Sequence, residues 1–146
     1  MEQEHFYNVT IKWEQERIGN LSSPELDSSI EVATPPEFPK GVAGIWSPEH
    51  LLVAAVNSCL MTTFLSIAEN SRLEFDTFTS HATGKLENVD GILMISEIML
   101  HPVLAIKSDS DKEKALRILN KSEHVCLISN SIKSKIIFSP EVNVAF

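Results

Sequence analysis

The feature that most constrains this chain is a long apolar segment that opens with helix-start signals. Ser47 is a favourable N-cap residue, Pro48 suits the first helical position, and Glu49 is favoured by the positive end of a helix dipole. The segment continues to about Asn70 and is apolar or small on almost every side, as in a helix surrounded by other structure. One small sheet cannot cover such a helix, so we expect a homodimer in which the long helices of two chains share a core.

Two observations argue against a membrane span and a secretory signal. Met1–His5 contains neither a basic region nor an apolar run, so we expect no signal peptide and a cytoplasmic protein. Polar residues interrupt the long helix well short of about 18 unbroken apolar residues, so we expect no membrane span. They are Asn57, Ser58, Thr62, Thr63 and Ser66.

The remaining pattern predicts an α+β fold in a single domain covering residues 1–146, with 43% hydrophobic residues to form its core. Four further segments separate the strands. They are a hairpin-like connection at 16–20, a proline-rich loop at 35–46, a turn at Asp90-Gly91 and a second helix from 110 to about 121. Alternation predicts the strands at 6–13, 28–34, 75–87, 92–103, 135–138 and 142–146.

Charge and histidine placement exclude several classes of function. The net charge is −8 and no lysine or arginine cluster is evident, so we expect no nucleic-acid partner and no anionic-membrane partner. The proximity of His124 to Cys126 raises the alternative of a cysteine hydrolase, but that chemistry needs a third, orienting group. The five histidines lack metal-ligand spacing, so we expect no metal site. They are His5, His50, His81, His101 and His124.

Cys59 and Cys126 are the only cysteines, and in a reducing compartment such a pair is more often catalytic, redox-active or metal-binding than a permanent crosslink. Desolvation in an apolar helix would keep Cys59 protonated, so reactivity would need a nearby cation. Arg17, in the first connection, is a candidate, and Glu49 could hold its guanidinium. Glu49 cannot easily reach Cys59 of its own helix, but it could serve the partner subunit's Cys59 across antiparallel helices. Each residue also has a purely structural explanation, as a core thiol, a solvated arginine or a helix-start carboxylate.

Two segments resemble the osmotically inducible protein C and organic hydroperoxide resistance (OsmC/Ohr) superfamily. Residues 46–60 contain Pro48-Glu49 and a cysteine ten residues after the glutamate, and residues 125–130 are similar to the second cysteine block. The spacing of 67 residues between the cysteines also suits the superfamily. Leu127 stands where proline often follows the second cysteine. The resemblance implies an intertwined α+β homodimer whose two β-sheets wrap around long central helices.

The resemblance also implies an activity, because peroxidase members of the superfamily reduce organic hydroperoxides. Cys59 would then be the peroxidatic thiolate and Cys126 the resolving cysteine, with Glu49 as the matching glutamate and Arg17 as the site arginine. An external dithiol would reduce the disulfide, and no metal or organic cofactor is implied. The alternative is a non-catalytic OsmC-like dimer that binds an apolar small molecule at the subunit interface, with cysteines that only pack.

Overall fold

The computed structural model describes residues 3–145 and confirms the α+β class. Its internal contacts form two compact units, one reaching Leu51 and the other starting at Leu52. A single domain over 1–146 stays a prediction, and Met1, Glu2 and Phe146 lie outside the described residues.

The first unit contains a three-stranded antiparallel sheet with strands in sequence order. Its strands are β1 (Thr10–Gln15), β2 (Ile18–Ser22) and β3 (Ile30–Ala33). The predicted connection at 16–20 is therefore wrong, because most of it is strand β2. The chain turns at Glu16, whose φ is +49°, and Gly19 then pairs with Trp13. A Cβ on Gly19 would lie 3.0 Å from the Lys12 carbonyl oxygen, so this glycine permits a close strand approach rather than a turn.

The proline-rich segment at 35–46 is a loop, as predicted, built from short backbone turns. Its end returns to the sheet, where the Ala33 N–H donates to the Trp46 carbonyl at 2.8 Å. This contact brings the chain to the start of the long helix.

Helix α1 runs from Pro48 to Asn70, which confirms both predicted ends. Ser47 caps it, because the Ser47 hydroxyl accepts the His50 N–H at 3.1 Å and the Ser47 carbonyl accepts the Leu51 N–H at 2.9 Å. Ser47 is fully buried, so these bonds satisfy polar groups that water cannot reach.

The second unit is built on a long hairpin of β4 (Phe75–Val89) and β5 (Ile92–Ile106). Asp90 and Gly91 form the predicted turn and both have positive φ, +50° and +86°. The short strands β6 (Lys135–Phe138) and β7 (Glu141–Val144) pair with successive parts of β5, both parallel to it. Helix α2 spans Lys112–His124, slightly beyond its predicted end.

Apolar side chains from the helices fill one face of this sheet. Phe64 of α1 stacks on Phe78 of β4 with ring centroids 4.9 Å apart, and Leu119 of α2 belongs to the same buried cluster. Val56 and Leu60 of α1 pack in a neighbouring cluster with residues of β5.

By length and composition alone, helix α1 could cross a membrane, with mean hydropathy 1.9. The polar interruptions in its sequence are therefore a weaker argument against a span than we expected. Val56, Leu60 and Phe64 are completely buried among side chains of this unit, so one side of the helix packs in a protein core.

Candidate functional site

Cys59 lies near the middle of α1, at the edge of the buried side of the helix. Its side chain is 9% exposed, whereas its neighbour Leu60 is completely buried and Ser58 is exposed. One turn further along the helix, the Thr63 hydroxyl lies 3.8 Å from the Cys59 sulfur. Cys59 therefore sits at the border between the packed face of the helix and its open face.

Cys126 lies in the loop at 125–131 that follows α2. The Cys126 N–H donates to the Glu123 carbonyl at 3.2 Å, and the Cys126 carbonyl accepts the Asn130 N–H at 3.1 Å. These bonds continue the helical path for one more turn and fold the loop tightly. The Cys126 side chain is completely buried.

The structure brings the two predicted cysteines together as free thiols. Burial opposes ionisation of Cys59, but four hydrogen-bond donors outweigh its effect. They are the Ile128 N–H, the Cys126 thiol, the Thr63 hydroxyl and the Leu127 N–H. Together these hydrogen-bond donors lower the pKa of Cys59 below the ordinary cysteine value. A cation is therefore not the only possible source of stabilisation for the Cys59 thiolate, because neutral donors already stabilise it.

The pKa of Cys126 shifts in the opposite direction. Burial raises the pKa of Cys126, and the neighbouring Cys59 thiolate raises it further. Ser129 opposes this shift but does not reverse it. At neutral pH Cys126 thus keeps its proton, and its S–H group acts as a hydrogen-bond donor to the sulfur of Cys59.

A shallow depression of about 300 Å³ opens over Cys59. Its lining is mostly apolar, and Leu127 at its edge is 67% exposed. The Ser58 hydroxyl in this lining donates to the Ala54 carbonyl at 2.7 Å, so its proton is already engaged. The lining residues are Ala55, Ser58, Cys59, Thr62, Leu127 and Ile128.

Comparison with known proteins assigns the chain to a family. The model of the family described as OsmC-like protein matches residues 41–141, which include both cysteines. The chain belongs to the OsmC-like family. The uncharacterized protein YmaD of Bacillus subtilis is 25% identical over 149 residues, covering 99% of this chain and 97% of that protein.

Solved structures confirm the OsmC-like fold. An OsmC-like protein of unknown function from Vibrio cholerae has a TM-score of 0.83 at 23% identity, covering 94% of this chain and 99% of that chain. An organic hydroperoxide resistance protein from Elizabethkingia anophelis has a TM-score of 0.78 at 20% identity, covering 99% of this chain and 100% of that chain. OhrB of Bacillus subtilis, also an organic hydroperoxide resistance protein, has a TM-score of 0.65 at 22% identity, covering 94% and 98% of the two chains.

In this OsmC-like chain the other two predicted site residues lie in the first unit. Arg17 is exposed at the turn between β1 and β2, and its backbone carbonyl accepts the Thr34 N–H at 3.3 Å. Glu49 is half-buried in the first turn of α1, and its Oε1 is buried with no hydrogen-bond partner among residues 3–145. The carboxylate is therefore in place, but the predicted pair between Arg17 and Glu49 is not formed within the described part of one chain.

Sequence reasoning missed the donors that surround Cys59. Thr63 could have been found, because it follows Cys59 by four residues and therefore lies on the same side of a helix. The N–H groups of Leu127 and Ile128 carry no sequence signal, since every residue except proline has one. The absence of proline at 127 was the only available clue, and it leaves a donor where proline would supply none.

Proposed function

We propose that this OsmC-like chain is a thiol-dependent peroxidase that reduces organic hydroperoxides through Cys59 and Cys126. The observation that carries the proposal is the proximity of two free thiols whose pKa values shift in opposite directions. Similarity in fold to proteins named for organic hydroperoxide resistance supports the choice of substrate.

The first step uses the ionised sulfur. The Cys59 thiolate attacks the distal oxygen of the hydroperoxide, a sulfur–oxygen bond forms, and the oxygen–oxygen bond breaks. The leaving alkoxide takes a proton from solvent and departs as the alcohol, while Cys59 becomes a sulfenic acid. The mostly apolar depression over Cys59 suits the carbon chain of such a substrate.

The second step uses the protonated sulfur. Cys126 attacks the sulfur of the Cys59 sulfenic acid, its proton leaves with the hydroxyl as water, and a disulfide forms. An external dithiol then reduces the disulfide by exchange and restores both thiols. The raised pKa of Cys126 suits this order, because Cys126 keeps its proton until Cys59 has been oxidised.

We also propose that the active form is a homodimer. Every residue of β1 is exposed, including Trp13 at 72%, and a strand exposed on both faces gains little stability in one chain. Met61 and Leu65 on the open side of α1 are 39% and 42% exposed. A second copy would cover such surfaces, as expected for the central helices of an intertwined dimer.

In this dimer Arg17 and Glu49 would act on a thiol across the subunit interface. The unpartnered Oε1 of Glu49 supports this role, because a buried carboxylate oxygen without a donor is costly and a guanidinium is its natural partner. The arginine would polarise the peroxide and stabilise the charge that develops on the leaving oxygen. The protein would act in the cytoplasm, where dithiol reductants are present.

A second candidate function has one observation in its favour. A depression of about 480 Å³ in the first unit is lined mainly by apolar side chains, among them Tyr7, Leu21 and Leu26. A non-catalytic dimer could hold an apolar small molecule there. Such a protein has no need of an ionised Cys59, so the behaviour of Cys59 toward peroxide distinguishes the two functions.

The experiment follows the consumption of cumene hydroperoxide by the reduced protein, with dithiothreitol as reductant. We expect steady turnover that Cys59→Ser lowers to the background rate, with Ser66→Ala, at an exposed position of the same helix outside the depression, as the control. Equal rates in Cys59→Ser and the unaltered protein would reject the proposal. Mass by light scattering tests the dimer separately, and a monomer would contradict that part.

A further inference from the structure

His81 and His101 face each other directly across the hairpin of β4 and β5. The two residues are partners in the antiparallel register, and both are exposed. Directly opposed residues in such a ladder project on the same side, with Cβ atoms about 5 Å apart. Their neighbours Ala82 and Leu100, which point to the other side, are half-buried and buried. The histidine pair therefore lies on the outer face of the sheet.

A backbone carbonyl fixes the protonation of one ring. His101 Nδ1 lies 2.6 Å from the Ser139 carbonyl oxygen, which can only accept, so Nδ1 carries the proton in the neutral ring. His101 Nε2 is then left with a free lone pair. A histidine that donates one ring N–H to a carbonyl and presents the other nitrogen is the usual arrangement of a metal ligand.

The same bond directs the free nitrogen toward its partner. Ser139 follows β6, and the Ser139 N–H donates to the Leu100 carbonyl at 2.9 Å, which holds Ser139 on the β6 side of β5. Strand β4, with His81, lies along the other side of β5. Because the two nitrogens of imidazole point in nearly opposite directions, His101 Nε2 is turned toward β4.

The residues that flank the pair carry no positive charge that would repel a metal cation. The flanking cross-strand pairs are Thr79 with Val103 and Thr83 with Met99, and all four side chains are uncharged. His81 Nε2 makes only a long contact of 3.5 Å with the Thr83 hydroxyl, so a modest rotation frees that ring.

We propose that His81 and His101 form a two-histidine site for a divalent transition metal ion. Two imidazole ligands suit Cu²⁺, Ni²⁺ and Zn²⁺, and water would complete the coordination. The order of affinity should place Cu²⁺ first, as for other nitrogen sites. This site uses neither cysteine and does not depend on the proposed peroxidase activity. The lack of conventional sequence spacing is explained by the fold, because 20 residues separate ligands that the hairpin makes neighbours.

The test titrates the tag-free protein carrying Cys59→Ser and Cys126→Ser with Ni²⁺ and Zn²⁺ by calorimetry, because the two thiols would otherwise bind the same metals. We expect one ion per chain, and His81→Ala or His101→Ala should each weaken binding roughly tenfold or more. His124→Ala, at the end of α2, is the matched control and should leave binding unchanged. Circular dichroism checks that the variants are folded.

Amide spectra provide a second readout. Paramagnetic Ni²⁺ should broaden signals around His81, His101 and Ser139 and leave those of α2 sharp. Absence of binding, or binding that both alanine variants retain, would overturn the proposal. Broadening centred on another histidine would do the same.

Discussion

Helix α1 around Cys59 and the loop around Cys126 give two identical thiols opposite surroundings. Both sulfurs are desolvated, and burial raises the pKa of each. Cys59 receives donors from three places, its own helix at Thr63, the loop backbone at Leu127 and Ile128, and the thiol of Cys126. Cys126 receives help mainly from Ser129, and the neighbouring thiolate acts against it. The comparison shows that the number and placement of neutral donors can separate an attacking sulfur from a resolving one.

The largest expected effect separates the two roles. Cys59→Ser should lower peroxide turnover on the order of a thousandfold, because a hydroxyl cannot replace a thiolate nucleophile. Cys126→Ser should allow the first oxidation and then stop, leaving a sulfenic acid on Cys59. The rate of peroxide consumption measures the first effect, and mass spectrometry after one equivalent of peroxide, with dimedone to trap the sulfenic acid, measures the second. Unoxidised Cys59 in the Cys126→Ser variant would contradict the assignment.

A pair of substitutions tests whether the Cys126 proton lowers the pKa of Cys59. Cys126→Ala removes the donor, so the pKa of Cys59 should rise and its alkylation at neutral pH should slow about tenfold. Cys126→Ser keeps an O–H donor and should stay close to the unaltered protein. The pH dependence of iodoacetamide alkylation gives the pKa in each variant. Identical profiles for alanine and serine would show that this hydrogen bond has no effect.

The pH dependence of alkylation should differ between the two cysteines. Alkylation follows the thiolate, so Cys59 in the Cys126→Ser variant should reach half its maximal rate below the ordinary cysteine pKa. The reverse holds for Cys126, whose thiolate should appear only above that value. Coincident midpoints for the two residues would remove the asymmetry on which their roles depend.

The N–H of Leu127 gives a smaller effect that is specific to this chain. Leu127→Pro removes that donor, so Cys59 should be alkylated about twofold more slowly at neutral pH. Leu127→Ala removes the side chain but keeps the N–H and serves as the matched control. Equal slowing in both variants would assign the effect to the apolar side chain instead.

A similarly small effect is expected at Thr63. Its hydroxyl lies 3.8 Å from the sulfur, so Thr63→Val should slow alkylation of Cys59 only about twofold. Thr63→Ser keeps the hydroxyl and should have no effect on the rate. An equal loss in both variants would indicate a packing role for Thr63.

Local signals explain why much of the fold was predictable. The N-cap at Ser47, the proline after it and the Asp90-Gly91 turn each act within a few residues, and the structure reproduces all three. Strand β2 was missed because Gly19 and Asn20 resemble turn residues, whereas Gly19 is needed for close approach to β1. Such a requirement depends on the neighbouring strand.

The candidate site was predictable only in part, because local signals identify its residues but not their arrangement. Cys59 and Cys126 could be identified by residue type and motif, but 67 residues separate them and only the fold brings them close together. The backbone donors of Leu127 and Ile128 depend on how the loop after α2 folds against α1. The parts played by Arg17 and Glu49 stay predictions, because both concern a second copy of the chain.

The most direct test of the account is to add one equivalent of cumene hydroperoxide to the fully reduced protein and map its thiols by peptide mass spectrometry. Cys59 and Cys126 should appear as a single disulfide-linked peptide pair, and both free thiols should disappear together. Peroxide that leaves both thiols reduced, or that oxidises Cys126 while Cys59 remains free, would contradict it.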